Sequence, residues 1–180
     1  MEVVSLGSLI EASTEESRDV MEYLLSFSCS SNKSVEDFLH NTAIENEKSN
    51  RTRTSLVIDT KNDNEIIGYF TITVKIFEFV DVSKTIIKRL TGNKNEKGFP
   101  TILIAQLGRS DLYKGKVEGS KILDLALVNC KTVYEIAALR VICVEYEDTP
   151  FLHNFYLANN FNVLQTNSDN DCIIAYLRLS

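Results

Sequence analysis

The stretch TILIAQLGRSDLYKGKVEGSKILDLAL, Thr101 to Leu127, decides how this chain is read. An apolar run, Thr101 to Arg109, predicts a strand. A short polar segment with Gly115 and Gly119 follows, and from Glu118 the apolar residues fall at helical spacing. Ile122, Leu123, Ala126, Leu127, Cys130, Val133, Tyr134 and Ala137 form the stripe of a helix predicted over 118–138. A strand feeding a glycine-bearing loop and a helix N-terminus is a way to hold pyrophosphate. Loop N–H groups converge on the anion, and the helix dipole adds to the attraction. The segment therefore predicts a nucleotide-type cofactor.

The surrounding chain supports a small polyanion as ligand. Overall charge is −6, yet residues 81–121 carry nine Lys and Arg against four acids, leaving the remainder at −11. The basic residues thus gather around the candidate loop. With 180 residues and 44% hydrophobic content, the sequence predicts a single domain over 1–180. No apolar run has the length of a membrane span, and the acidic start MEVVSLGSLIEASTEES lacks signal-peptide character. The expected compartment is the cytoplasm, with no membrane partner. Cys29, Cys130, Cys143 and Cys172 show no C-x-x-C spacing, and with only His40 and His153 beside them no metal cluster is expected.

Working outward, Met1 to Ile10 predicts a short strand. Ser13-Thr14-Glu15-Glu16 has capping-box spacing for a helix running to Phe27, and Ser34 caps a second helix to Lys48. Arg53 to Asp59 and Glu65 to Phe79 predict strands about an Asn62-Asp63-Asn64 turn. Phe70, Ile72, Val74 and Ile76 are expected on the buried face of the second. Ser83 to Leu90 predicts a short helix, Thr91 to Pro100 an exposed loop, and Arg140 to Tyr146 a strand. Thr149-Pro150 opens a helix closed by Asn159-Asn160, and Phe161 to Gln165 with Asp171 to Leu179 forms a last hairpin. The order is mixed α+β.

This order resembles the GNAT (GCN5-related N-acetyltransferase) family over essentially the full length. Two motifs carry the resemblance. The family's acyl-CoA loop, Arg/Gln-x-x-Gly-x-Gly/Ala, falls on Lys114-Gly115-Lys116-Val117-Glu118-Gly119. Its Phe-Tyr-x-x-x-Gly-Phe stretch falls on Phe155-Tyr156-Leu157-Ala158-Asn159-Asn160-Phe161. LIAQLGRSDLYKG, the Cys29 region, the basic Arg51 to Arg53 and the Ser83 to Leu90 helix look similar to the toxin-like branch. The resemblance implies a mostly antiparallel mixed sheet splayed after its fourth strand, with helices on both faces.

It also implies acetyl-CoA as cosubstrate and no metal. Pantetheine would pair with the backbone of Leu107, Gly108 and Arg109. Pyrophosphate would sit on N–H groups from Lys114, Gly115, Lys116, Val117, Glu118, Gly119 and Ser120. Tyr156 matches the general acid, a phenol that keeps its proton at neutral pH and can pass it to the leaving thiolate. Glu145, at the end of the strand Arg140 to Tyr146, is the expected base. Two departures stand out. Val117 replaces a glycine, and a β-branched residue resists positive φ. Glu118 puts a carboxylate at the helix start; turned inward, it would oppose phosphate by about 2–4 kcal/mol at an effective dielectric of ~20.

The expected activity is transfer of acetyl from acetyl-CoA to a primary amine of a small molecule or protein, by a monomer or homodimer. Toxin-type acetylation of aminoacyl-tRNA ranks second, because a pI near 5.0 opposes a broad polyanion surface. A degenerate CoA-binding or regulatory module, motivated by Val117 and Glu118, is the reading from outside the enzyme class.

Overall fold

A computed structural model describes residues 1–14 and 16–179. Glu15, part of the expected capping box, lies outside the described residues. The strands are β1 (Glu2–Ser5), β2 (Arg53–Asp59), β3 (Glu65–Glu78), β4 (Gly98–Arg109), β5 (Val141–Tyr146), β6 (Asn162–Thr166) and β7 (Ile173–Arg178). The helices are α1 (Leu6–Ala12), α2 (Arg18–Leu24), α3 (Lys33–Asn41), α4 (Ala43–Lys48), α5 (Lys84–Thr91), α6 (Gly119–Ala137) and α7 (Pro150–Ala158). The strands form a mixed α+β sheet in the order β1-β2-β3-β4-β5-β7-β6. β1–β2, β2–β3, β5–β7 and β6–β7 pair antiparallel, and β4–β5 pair parallel. The β4–β5 ladder joins only Ile102 to Ile104 with Ile142 to Val144, while β4 runs on to Arg109. That early end is the expected splay.

The chain divides into two compact units, Met1–Thr73 with Ala105–Val128, and Val74–Ile104 with Asn129–Ser180. In the first, Leu6, Leu24, Phe27, Leu39, Leu56 and Tyr69 form the heart of an apolar cluster. In the second, Phe77, Phe99, Ile102, Ile142, Cys143, Tyr156 and Ile174 are buried.

Caps explain several boundaries. The Asn32 side chain accepts from Val35 N–H at the start of α3, Ser83 from Ile86 N–H at α5, and Thr149 from Leu152 N–H at α7, with Pro150 in the first turn. Gly92 closes α5 at φ 88°, and Asn160 follows α7 at φ 65°.

Five expectations are corrected. The strand expected over Met1 to Ile10 stops at Ser5, which caps α1 by accepting from Ser8 N–H; Leu6, Leu9 and Ile10 then follow helical spacing. Ser13 closes α1 rather than opening the next helix, which begins at Arg18 after a left-handed Ser17. The helix expected over Ser34 to Lys48 breaks at Thr42 into α3 and α4, and its cap is Asn32. Finally, Val74 and Ile76 are exposed, while Lys75 and Phe77 of the opposite register face Glu145 and Phe99. An ion pair and an aromatic contact, invisible in local periodicity, decide which face turns inward. The loop expected up to Pro100 also ends earlier, because β4 begins at Gly98.

Candidate functional site

The residues from Leu107 to Ser120 belong to the first unit. Gly108 is needed for packing: a Cβ there would meet Val35 Cγ1 at 2.5 Å, Tyr69 Cε1 at 3.0 Å and Phe27 Cζ at 3.2 Å. Gly68 on β3 is equally crowded, with Ile122 Cδ1 at 2.3 Å and the Gly108 carbonyl oxygen at 2.5 Å from its would-be Cβ. The missing side chain lets the first turns of α6 seat against β3.

After β4 the chain makes a 3₁₀ turn, Asp111–Tyr113, capped by the Ser110 hydroxyl accepting from Leu112 N–H. The Tyr113 carbonyl then accepts from both Lys116 N–H and Val117 N–H at 3.0 Å, and Lys114 N–H donates to the Asp111 carbonyl at 3.1 Å. Arg109 closes the loop from the strand side, its guanidinium donating to the Val117 carbonyl at 2.9 Å. Gly115 takes φ 78° in open space, which suits glycine alone.

The expected N–H cradle is therefore smaller than Lys114 to Ser120. Lys114, Lys116 and Val117 N–H are bonded inside the loop, whereas those of Gly115, Glu118, Gly119 and Ser120 donate to no described backbone carbonyl. The last three open α6, whose first N–H groups have no carbonyl behind them; its first turn is closed by Lys121 N–H on the Glu118 carbonyl at 3.1 Å. These unbonded donors, with exposed Lys114 and Lys116 side chains beside them, fit a pyrophosphate. The Val117 departure is also milder than expected, since Val117 does not take positive φ. Glu118 is exposed, and its carboxylate accepts from the Ser120 hydroxyl at 3.4 Å.

Two groups anchor this loop. Asp111 N–H donates to the Ser28 carbonyl at 2.8 Å, and the Asp111 carboxylate accepts from Ser30 N–H at 2.8 Å. Tyr113 donates its hydroxyl to Glu65 at 2.9 Å, with Asp59 at 3.1 Å. Burial, then these two carboxylates, push the Tyr113 phenol up to about 12. Both anchors lie within LIAQLGRSDLYKG, but their partners lie 48 to 83 residues away.

Tyr156 and Glu145 belong to the second unit. Tyr156 is 7% exposed among Phe155, Phe161 and Tyr146, with ring centroids at 5.1, 5.6 and 4.7 Å. Burial pushes its phenol well above the ordinary value, so the proton stays on the oxygen throughout the neutral range. Tyr146 in turn lies 3.4 Å from His153 Nδ1 through its hydroxyl.

Glu145, the expected base, has its carboxylate engaged by three side chains. Consecutive strand residues point to opposite faces, and it is Tyr146 whose ring meets Tyr156. One Glu145 oxygen accepts from Lys75 Nζ at 2.9 Å, and the other accepts from the Asn167 and Asn170 side chains. Burial alone would raise its pKa, but these donors outweigh it and the net shift is downward. This carboxylate holds the β6–β7 turn and is a weak proton acceptor.

Several basic residues are likewise committed. Arg53 bonds the buried Glu47, and Arg89 bonds the Tyr176 hydroxyl and lies over its ring. No cluster of His, Cys, Asp and Glu among the described residues has the arrangement of a metal site. No helix of the described residues is long and apolar enough to cross a membrane.

No family model and no curated protein matches the chain. Solved structures do. AtaT complexed with acetyl-methionyl-tRNAfMet aligns over 98% of this chain and 94% of its own, at 16% identity and a TM-score of 0.73. AtaTR bound with acetyl-CoA aligns over 96% and 90%, at 14% identity and 0.67. A tyrosine-to-phenylalanine mutant of KacT aligns over 85% and 86%, at 15% identity and 0.68. At these identities the likeness is one of fold, and the fold is that of the GNAT-type toxins.

Proposed function

We propose that this chain is an acetyl-CoA-dependent N-acetyltransferase of the toxin type, acting on the amino group of an aminoacyl-tRNA. The observation that carries the reading is β4: it leaves its parallel partner after three residue pairs and runs into a glycine turn and a helix start with unbonded N–H groups. A strand edge accepts the amide chain of pantetheine, and the helix start accepts pyrophosphate. Acetyl-CoA supplies the activated thioester. Gly115, Glu118, Gly119 and Ser120 would bind its pyrophosphate through N–H groups, with Lys114 and Lys116 adding charge.

Tyr156 holds its proton at neutral pH and would deliver it from its hydroxyl to the departing sulfur. Dry surroundings that raise the phenol's pKa also raise the proton affinity of a thiolate beside it, so the transfer stays feasible. The α-amino group of an aminoacyl ester ordinarily titrates near neutrality, so a strong protein base is unnecessary, and Glu145 serves structure.

The acceptor order read from the sequence is thereby reversed. The similarity to AtaT with acetyl-methionyl-tRNAfMet favours aminoacyl-tRNA over a small amine. Residues 81–121 remain basic within an acidic chain and offer the phosphate contacts. The degenerate-module reading loses its main motive with Val117 at negative φ. Thiol release from acetyl-CoA, followed with aminoacyl-tRNA, deacylated tRNA and a panel of free amines, tests the proposal. Release only with aminoacyl-tRNA is the expected result; release with free amines and not with aminoacyl-tRNA contradicts the acceptor, and none with any contradicts the activity.

A further inference from the structure

The loop's shape depends on more than its glycine. Gly115 alone takes positive φ there, and the position where the GNAT pattern has a second glycine is Val117, whose N–H and carbonyl are both bonded within the segment. The loop's backbone N–H bonds trace back to the 3₁₀ turn, with Lys114 on the Asp111 carbonyl and Lys116 and Val117 on the Tyr113 carbonyl, while Arg109 holds the Val117 carbonyl from the strand side. That turn is fixed at two points. At one, Asp111 clasps the segment Ser28 to Ser30 through its backbone N–H and its carboxylate, both at 2.8 Å. The clasped segment is itself held to α3, with Cys29 N–H donating to Glu36 at 2.8 Å and His40 Nε2 2.9 Å from the Phe27 carbonyl oxygen. At the other, the buried Tyr113 ring places its hydroxyl on Glu65 and Asp59 of the β2–β3 hairpin.

We infer that Asp111 and Tyr113 are positioning residues for the pyrophosphate-binding N–H groups, holding the loop in its binding shape before ligand arrives. The inference rests on the proposed role of the loop. An anion site built from backbone donors is only as good as the fixity of its backbone, because ordering a loose loop must come out of the binding free energy. Two anchors on the turn supply that fixity from outside the loop. They bear on the pyrophosphate and leave the pantetheine arm, which would lie along β4, untouched.

The test compares CoA with S-acetylpantetheine, which lacks the pyrophosphate, by NMR titration of wild type, Asp111→Asn, Asp111→Ala and Tyr113→Phe. Preorganisation predicts about tenfold weaker CoA binding for Asp111→Ala and for Tyr113→Phe. Asp111→Asn stays within about twofold of wild type, since its amide oxygen still accepts from Ser30 N–H. S-acetylpantetheine binding is unchanged in all four, a selectivity that general loosening would not give. Circular dichroism checks each fold, and Tyr113→Phe carries the test if Asp111→Ala does not fold. Unchanged CoA affinity in folded Asp111→Ala or Tyr113→Phe, or equal losses for both ligands, overturns the inference alone. Failure of wild type to bind CoA overturns the pyrophosphate reading and the inference with it.

Discussion

At the scale of single residues, Tyr156 and Gly108 show what a motif does and does not reveal. Tyr156 stands out in the sequence through the Phe-Tyr stretch; it is buried among three aromatic rings, and its role as acid is the proposal that a hydroxyl deletion tests. Tyr156→Phe retains that packing and deletes the donor, so turnover should fall ~10²–10⁴-fold with CoA affinity little changed. Near-wild-type turnover, with chemistry limiting, would reduce Tyr156 to a core aromatic. Gly108 was expected as part of a backbone ledge for pantetheine, a role indifferent to side chain. Its crowding by Val35, Tyr69 and Phe27 was not legible, because all three lie far away in sequence. Gly108→Ala should lower stability by about 1–3 kcal/mol through overpacking, measured by denaturant unfolding. A loss under about 0.5 kcal/mol would mean the three side chains yield freely.

At the scale of elements, boundaries set by local caps were readable and those set by distant partners were not. Ser83 and Thr149 lie three residues before the N–H groups they cap, so α5 and α7 emerge from a short window. By contrast, the inward face of the far half of β3 depends on Lys75 reaching Glu145, 70 residues on. That pair gives a pH signature. The folded pKa of Glu145 lies below its ordinary 4.5, so the stabilisation is fully present above about 4.5 and disappears as pH falls through the folded value. Glu145→Gln should cost about 1.5–3 kcal/mol at pH 7, the range for hydrogen bonds to charged groups, and the difference from wild type should shrink steadily in acid. A difference that stays constant from pH 7 to pH 3 would show that the charge contributes nothing. If Glu145 were the catalytic base instead, the folded variant would lose turnover by orders of magnitude, an outcome the same preparation can exclude.

At the scale of the whole molecule, net charge pointed away from tRNA, the acceptor that the proposed function takes up. A charge of −6 averages over a chain whose residues 81–121 are net basic, and phosphate contacts respond to local charge. The fold was legible because strand and helix order, glycine loop and last helix recur in fixed sequence. The acceptor was not legible, since no local motif encodes the shape of a substrate. The decisive measurement is mass spectrometry of the acceptor after incubation with acetyl-CoA, aminoacyl-tRNA and the protein, with the 3′ end released by ribonuclease. The account predicts an aminoacyl-adenosine heavier by one acetyl group on its α-nitrogen, with its initial rate of formation lowered ~10²–10⁴-fold when Tyr156→Phe replaces wild type at matched enzyme. Unmodified aminoacyl-adenosine from the wild-type reaction, with the protein folded and acetyl-CoA intact, would contradict it.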